Sequence, residues 1–151
     1  MADTLTKEQR SQNMAAIKSR RTKPEMFLRH ELFVKGYRYR VNVNYISGHP
    51  DMFLRKYNLA IFVNGCFWHR HQDCRYSYMP KSNQEFWMKK FAANTLRDKK
   101  VRYELEQKGI RQMIIWECFL NRIKSDELLK AEGVSRIEEL ISSSETYMEI
   151  D

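Results

Sequence analysis

The sequence lacks the features that would place the protein in a membrane or outside the cell. No run of about 18 apolar residues occurs, so no segment is long enough to span a membrane as a helix. The first residues contain no apolar core of the kind that a secretory signal peptide needs, and we therefore expect an intracellular, cytoplasmic protein. The chain has only 3 cysteines, an odd number that argues against a framework of disulfides.

Internal repeats, low-complexity tracts and a second-domain boundary are also missing. The 151 residues suffice for one domain with a hydrophobic core, and an apolar fraction of 42% argues against long disorder. Helical and strand patterns follow one another in the order α-β-β-β-α-β-α. This order predicts an α/β fold, in which helices cover both faces of one mixed sheet.

Helices are predicted by their end signals and by apolar periodicity. Pro24 and Gly36 suit the start and the end of a helix over 24–35, and Gly109 suits the end of the longest helix, over 84–108. Two further segments are a helical tail over 125–142 and a helix or arm over 5–20.

Strands are predicted by two different patterns. Apolar and polar residues alternate over 37–43, as in a strand with one buried face. The continuous apolar run over 59–63 is typical of a strand buried on both faces, and 111–116 is predicted to be another buried strand. A short strand is expected to begin at Asp51, directly after turn-forming residues.

The charge of the chain is strongly positive, at +8. Such an excess suggests a polyanionic partner, although a merely soluble basic protein would show it too. The distribution is more informative, because the segment from Ser125 onward is acidic. The basic residues crowd the first segment and the longest predicted helix, which favours a nucleic-acid-binding face: Arg10, Lys18, Arg20, Arg21 and Lys23, then Lys89, Lys90, Arg97, Lys99, Lys100 and Arg102.

Thiols and imidazoles are concentrated just after the strand over 59–63. Cys66, His71 and Cys74 have the spacing C-x4-H-x2-C, and Cys118 follows a strand that would lie nearby. Zinc prefers thiolates and imidazoles in a closed tetrahedral set. The alternative is buried thiols acting as small apolar residues, which fits a polar loop poorly. His69 could replace His71 as a ligand or serve in proton transfer.

Asp51 is a candidate ligand for a catalytic cation. It lies at a strand end, beside the end of the neighbouring strand. Mg²⁺ takes hard oxygen ligands and keeps several waters, so one or two protein carboxylates suffice. Taken alone, Asp51 is more typical of a turn cap, since Pro-Asp is common in turns.

Consecutive aromatic rings follow Cys66. Phe67 and Trp68 cannot both face one core from a regular element, so at least one is expected to be exposed and able to stack on bases or wedge between them. Trp87 opens a basic helix and could join them, and Met14 lies among basic residues near the N-terminus. The alternative is packing over the loop.

One face of the longest predicted helix carries polar residues where apolar ones should continue. Lys90, Asn94 and Asp98 share this face at intervals of four. The break suggests a face turned to a site; the alternative is a solvated face with an Asn94–Asp98 pair.

Several short motifs together resemble the very-short-patch-repair (Vsr-type) DNA mismatch endonucleases, over about residues 10–120. The combination of Gly-Cys-Phe-Trp-His with a later Trp-Glu-Cys is the most specific part. The motifs are Arg10-Ser-x-Asn-Met14, Thr22-x-Pro-Glu25, Ser47-Gly-His-Pro-Asp51, Ile61-Phe-Val-Asn-Gly-Cys-Phe-Trp-His69, Glu85-Phe-Trp87, Asn94, Arg97-Asp98 and Trp116-Glu-Cys118.

The resemblance implies a single-domain restriction-endonuclease-like fold with a structural zinc site. We expect a DNA-binding arm over 1–22 and an endonuclease domain over 23–151. The implied enzyme uses Mg²⁺ to cut one strand of double-stranded DNA on the 5′ side of the T in a T:G mismatch. We expect it to act as a monomer, without a membrane partner and with repair proteins as candidate partners.

The resemblance also implies roles for single residues. The active site would comprise Asp51 as the Mg²⁺ ligand, with Glu25, His69 and Asp98. Zinc would be held by Cys66, His71, Cys74 and Cys118, which leaves His69 free. The DNA contacts would be a wedge of Phe67, Trp68 and Trp87, an opposing Met14, and base contacts from Lys90 and Asn94.

Asn64 departs from the family pattern, in which relatives carry His or Asp at this position. An amide can accept a hydrogen bond or ligate a metal through its oxygen, but it does not titrate or bring charge. Two alternatives to the mismatch nickase follow: a zinc-stabilised protein that binds distorted DNA with reduced or lost catalysis, and a restriction-type nuclease acting on matched DNA.

Overall fold

The computed structural model describes residues 6–9 and 21–151. Met14 and most of the predicted 5–20 arm lie outside the described residues. In the part that is described, no helix is both long and apolar enough to cross a membrane.

Four helices and four strands of the described chain form the domain, and we number them in chain order. The helices are α1 (Lys23–Val34), α2 (Gln84–Gln107), α3 (Glu117–Lys124) and α4 (Glu127–Ser142). The strands are β1 (Met52–Leu54), β2 (Leu59–Asn64), β3 (Arg111–Trp116) and β4 (Tyr147–Ile150), and one 3₁₀ turn, Arg55–Tyr57, links β1 to β2.

The ends of the elements follow local chemistry. The Thr22 hydroxyl accepts a hydrogen bond from the Glu25 amide at 3.4 Å and so caps α1, with Pro24 in the first turn. The Asp126 carboxylate caps α4 by accepting from the amides of Leu128 and Leu129. Asn58, in the left-handed region at φ 50°, closes the turn into β2.

The sheet has the strand order β1-β2-β3-β4 and is mixed, as predicted. β1 runs antiparallel to β2, whereas β2, β3 and β4 are parallel. In register, Asn64 lies opposite Trp116, and Ile115 lies opposite Ile150. The carboxyl ends of the three parallel strands therefore meet at one edge of the sheet.

Helices pack against both faces of the sheet. The larger core lies on one face, where α1, α3 and α4 bury residues such as Leu28, Leu120 and Ile137 against Ile61 and Ile115. The opposite face is covered by α2, whose Val101 and Leu105 pack against Phe53 and Ala60. The long helix α2 thus forms the crossover from β2 to β3. Its first turns lie near the sheet edge where the carboxyl ends of the parallel strands meet.

The strand predicted over 37–43 is wrong. This segment makes one isolated antiparallel bridge, between Arg40 and Phe53, and Asn42 interrupts it at φ 55°. Its aromatic side chains are used as anchors instead, since the Tyr39 hydroxyl donates to the carbonyl oxygen of Arg29 at 2.9 Å. The alternating pattern thus arises from an extended crossing segment rather than from a full strand.

Two elements were not predicted. The short helix α3 begins directly after Trp116, and β4 adds a fourth strand at the end of the chain. β4 is short and includes the exposed Glu149, so its apolar signal is weak.

Candidate active site and metal centre

Asp51 lies immediately before β1, beside the end of β2. Its Oδ2 atom accepts a hydrogen bond from the backbone amide of Val63 at 2.7 Å. Burial raises the pKa of Asp51 to about 6, and the nearby Glu25 carboxylate adds to this, while the Val63 hydrogen bond opposes it. A bound cation would offset the cost of ionising this carboxyl group.

Glu25 is the second carboxylate of this region and is only 3% exposed. It comes from the first turn of α1 and lies close enough to Asp51 to influence its ionisation. Arg29, one turn further along the helix, donates to Glu25 Oε1 at 2.5 Å. The structure therefore brings together two acidic groups from different elements and gives one of them a buried counter-ion.

His69 and Asp98 form a pair across the cleft between the loop after β2 and α2. The distance between His69 Nδ1 and Asp98 Oδ2 is 2.7 Å, and both side chains are about one-third exposed. A carboxylate at Nδ1 fixes the orientation of the imidazole and leaves Nε2 as its basic atom. This arrangement is suited to proton transfer at a solvent-accessible site.

A cleft of about 340 Å³ opens between α2 and the sheet beside this pair. Asn64, at the end of β2, contributes to its lining and is 8% exposed. Asn94 is also buried there, and its Nδ2 donates to the backbone oxygen of Trp68 at 3.1 Å. Asn94 and Asp98 are therefore engaged with the loop rather than paired with one another, and the interpretation of this face as a solvated one is wrong.

The metal-ligand candidates come together as the spacing predicted. The ligand atoms of Cys66, His71, Cys74 and Cys118 all lie within 4.8 Å of one another. All three cysteines are free thiols, and Cys118 Sγ lies 3.5 Å from His71 Nδ1. Three sulfurs and one nitrogen in this space match a closed tetrahedral set, so the cluster could hold a metal ion.

Burial makes two of these thiols, those of Cys66 and Cys118, poor acids in the absence of a cation. It raises the pKa of Cys66 to about 12 and also raises the pKa of Cys118. His69 points to Asp98 and lies outside the cluster, which leaves His71 as the imidazole of the set.

Phe67 is the centre of an aromatic cluster. Its ring contacts Trp68, Trp87, Phe91 and Tyr78 at centroid distances of 5.2, 5.4, 5.1 and 5.2 Å. The rings thus pack on one another, which agrees with the alternative prediction that they pack over the loop. Phe67, Trp68 and Trp87 nevertheless remain partly exposed, so stacking with a partner is also possible.

Arg70 holds this aromatic cluster in place, and sequence reasoning missed it. Its guanidinium donates to the backbone oxygens of Phe67, Ser77 and Tyr78 at 2.9 to 3.1 Å. It also lies over the Phe91 ring, 3.9 Å from the centroid. The sequence signal for this role was the density of aromatic residues on both sides of Arg70.

The basic face predicted for α2 is present on its exposed side. Lys89, Lys90, Arg97, Lys99 and Lys100 are all exposed, and the aromatic cluster lies at the start of the same helix. Since the His69–Asp98 pair also involves α2, the cationic and aromatic groups border the candidate active site.

Comparisons with known proteins identify the family of the chain. The family described as "DNA mismatch endonuclease Vsr" matches residues 2–76. The chain is 43% identical to the type II nicking enzyme V.NmeAIP of Neisseria meningitidis, over 80% of this chain and 85% of that protein. It is 37% identical to the DNA mismatch endonuclease Vsr of Escherichia coli, over 100% of this chain and 95% of that protein. The chain therefore belongs to the Vsr family of DNA mismatch endonucleases and is a DNA-nicking endonuclease.

Proposed function

We propose that this endonuclease uses Mg²⁺ to nick one strand of duplex DNA on the 5′ side of the T in a T:G mismatch. The observation that carries the proposal is the convergence of Asp51, Glu25 and the His69–Asp98 pair beside a partly exposed aromatic cluster. We also propose that the mixed sheet with its flanking helices is a restriction-endonuclease-like domain over 23–151.

In the proposed reaction, Asp51 would hold Mg²⁺. The buried Glu25 would place a second carboxylate beside it. When bound, the cation would neutralise charge on the scissile phosphate and lower the pKa of a bound water. Mg²⁺ fits the site because hard carboxylate oxygens are its preferred ligands and few are needed. Arg29 holds the Glu25 carboxylate in place through a charge-assisted hydrogen bond.

His69 is the proposed proton-transfer group. Asp98 accepts a hydrogen bond from the Nδ1–H group of His69 and orients the ring, so that Nε2 can exchange a proton near the attacking water or the leaving oxygen. Asn64 lines the same cleft and offers its amide oxygen as a hydrogen-bond acceptor.

Recognition of the mismatch is assigned to the aromatic cluster and α2. Phe67, Trp68 and Trp87 would wedge into the base stack, which costs less at a mispaired step. Lys90 would contact the mismatched bases, and Asn94 would do so through the loop that it holds. Met14, which lies outside the described residues, is proposed to enter from the opposite side.

Zinc is the proposed occupant of the Cys66, His71, Cys74 and Cys118 cluster. Its role is structural, because four protein ligands leave no open position. The ion would fix the loop that carries both the aromatic rings and His69. We expect about one zinc ion per chain, from the four-ligand set found among the described residues.

The decisive experiment compares Asp51→Ala with Glu132→Gln on matched and T:G duplexes of one sequence. Glu132 is exposed on α4, away from the cleft, and serves as the control. We expect Asp51→Ala to abolish nicking while T:G binding persists, and Glu132→Gln to nick normally. Equal nicking by Asp51→Ala would refute the assignment of Asp51, and equal cutting of both duplexes by the unaltered chain would show a restriction-type nuclease.

Asn64 supports a second candidate function, a DNA-distortion-binding protein with reduced or lost catalysis. The residue is 8% exposed at the active-site edge and brings no charge or titratable proton there. This candidate predicts tight T:G binding without cleavage in Mg²⁺ or Mn²⁺, and cleavage on restoring a titratable group with Asn64→His or Asn64→Asp. Efficient cleavage by the unaltered chain would exclude it.

A further inference from the structure

The C-terminal strand ends beside the proposed zinc centre. β4 runs parallel to β3, with Ile150 opposite Ile115. The next residue on each strand is Asp151 and Trp116, so the register brings Asp151 level with the tryptophan that precedes Glu117 and Cys118. Asp151 directly follows the last paired residue of β4, so its side chain begins beside this end of β3.

The carboxylate of Asp151 contacts the side of His71 that faces away from the thiols. Its Oδ2 atom lies 3.1 Å from His71 Nε2, while His71 Nδ1 faces Cys118 Sγ at 3.5 Å. The two ring nitrogens thus have different partners. A carboxylate at Nε2 fixes the tautomer that presents the Nδ1 lone pair to a metal, and it makes that lone pair more basic.

A second carboxylate, from Glu149 on β4, restricts the plane of the same imidazole through Trp116. The His71 ring stacks on Trp116, with centroids 4.2 Å apart and an interplanar angle of 9°. The indole Nε1 of Trp116 donates to Glu149 Oε1 at 3.1 Å. Since Glu149 holds the indole and the indole supports the imidazole, rotation of His71 is restricted from two directions.

We propose that Asp151 and Glu149 are positioning residues for the metal centre, with Asp151 acting directly on His71 and Glu149 acting through Trp116. The strand β4 would thereby retain the metal as well as extend the sheet. This inference rests on the proposed zinc site, and it assigns to Asp151 and Glu149 the positioning of one ligand of that site.

The exposure of Asp151 separates this role from a general one in stability. Its side chain is 65% exposed, and ion pairs of such exposed groups contribute little to folding. Loss of the carboxylate should therefore leave the fold intact and change the retention of the metal, for which removal of an outer partner typically costs about 10- to 100-fold in affinity.

The test measures zinc release from the full chain to an excess of a coloured chelator. Purified unaltered protein, Asp151→Asn, Asp151→Glu, Glu149→Gln and Glu145→Gln are compared. Glu145 is exposed in the turn before β4, and its carboxylate is not part of the network, so Glu145→Gln is the matched control. Thermal unfolding of the zinc-loaded forms is recorded in parallel.

We expect Asp151→Asn to release zinc about 10- to 100-fold faster than the unaltered chain, with Glu149→Gln intermediate and Asp151→Glu partly restored. Equal release by Asp151→Asn and the unaltered chain, or equal acceleration by Glu145→Gln, would overturn the inference. Absence of zinc from the unaltered chain would instead overturn the proposed zinc site itself. If Asp151→Asn alters folding, substitution with Co²⁺ decides: its visible spectrum should shift in Asp151→Asn and stay unchanged in Glu145→Gln.

Discussion

The 2.7 Å contact between His69 Nδ1 and Asp98 Oδ2 joins the loop after β2 to the middle of α2. The proposed proton-transfer group is therefore positioned by the helix that also presents the basic face. If α2 shifted on binding DNA, Asp98 would move with it and would change the orientation of the His69 ring directly.

This contact predicts a large effect of Asp98→Asn on nicking. The amide can keep the hydrogen bond but favours the wrong tautomer of His69, so we expect nicking of a T:G duplex to fall by about 10²- to 10⁴-fold. Binding of the same duplex should change little. Single-turnover nicking and a binding titration measure the two effects.

The control for that substitution is Glu106→Gln, an exposed carboxylate further along α2. It should nick at the unaltered rate. Normal nicking by Asp98→Asn would show that the pair is structural.

The pH dependence of nicking should report Asp51. Burial raises its pKa to about 6, and only the ionised carboxylate binds Mg²⁺, so the rate should fall as the pH falls through this value. More Mg²⁺ competes with the proton and should move the midpoint to lower pH. Rates measured across pH at two Mg²⁺ concentrations test this, and a midpoint that ignores Mg²⁺ would contradict it.

The same pKa shift predicts a change in the stability of the protein in the absence of Mg²⁺. Because the folded-state pKa of Asp51 is raised from 3.8 to about 6, the folded chain binds more protons than the unfolded chain in this window, and its stability declines as the pH rises through it. Asp51→Asn removes the decline and keeps an acceptor for the Val63 amide. Denaturant unfolding should show the variant more stable at pH 7, with a difference that shrinks below about pH 4.

Truncation of the proposed wedge should weaken mismatch binding. Stacking of an aromatic side chain on a base is worth about 1–3 kcal/mol, so we expect Trp68→Ala to reduce T:G affinity by about 5- to 150-fold, more than its affinity for matched DNA. Tyr103→Ala removes a ring that is 63% exposed near the other end of α2 and is the control. Equal losses on T:G and matched duplexes would argue against a wedge.

Arg70 should matter through geometry as well as charge. Lysine keeps the charge of Arg70 but cannot reproduce its three backbone hydrogen bonds or its planar contact with Phe91. We expect Arg70→Lys to make the 75–83 segment more susceptible to proteolysis and to lower T:G affinity. Arg75→Lys, at an exposed position in the same segment, should do neither.

The sequence predicted a mixed sheet and those of its strands that have a strong apolar signal, but not the strand β4. β2 and β3 are six residues long and mostly buried, so their apolar residues predict strands. β4 has only four residues, includes a charged one, and has no recognisable strand pattern. The segment over 37–43 misled because Tyr39 alternates with polar residues while serving as an anchor for α1. Periodicity reports which side chains are buried, not whether the backbone has a strand partner.

Ligand chemistry was easier to predict than positioning chemistry. The four metal-ligand candidates could be predicted because thiols and imidazoles at loop spacing have few other uses. Asp151 and Arg70 could not be, since each acts through contacts that only the folded chain creates. Whether each site residue has the role that the family resemblance implies stays a prediction for the variants above.

The path of the chain through the metal cluster has a mechanical consequence. Cys74 precedes α2 and Cys118 follows β3, so an ion shared by both would turn the intervening helix and strand into a closed ring. A protease cut within 75–83 would then leave two pieces joined through the ion as well as through the pairing of β2 with β3. The helix proposed to contact DNA would be held through the ion at both of its ends, so a force applied to it by a bound duplex would be transmitted to the sheet.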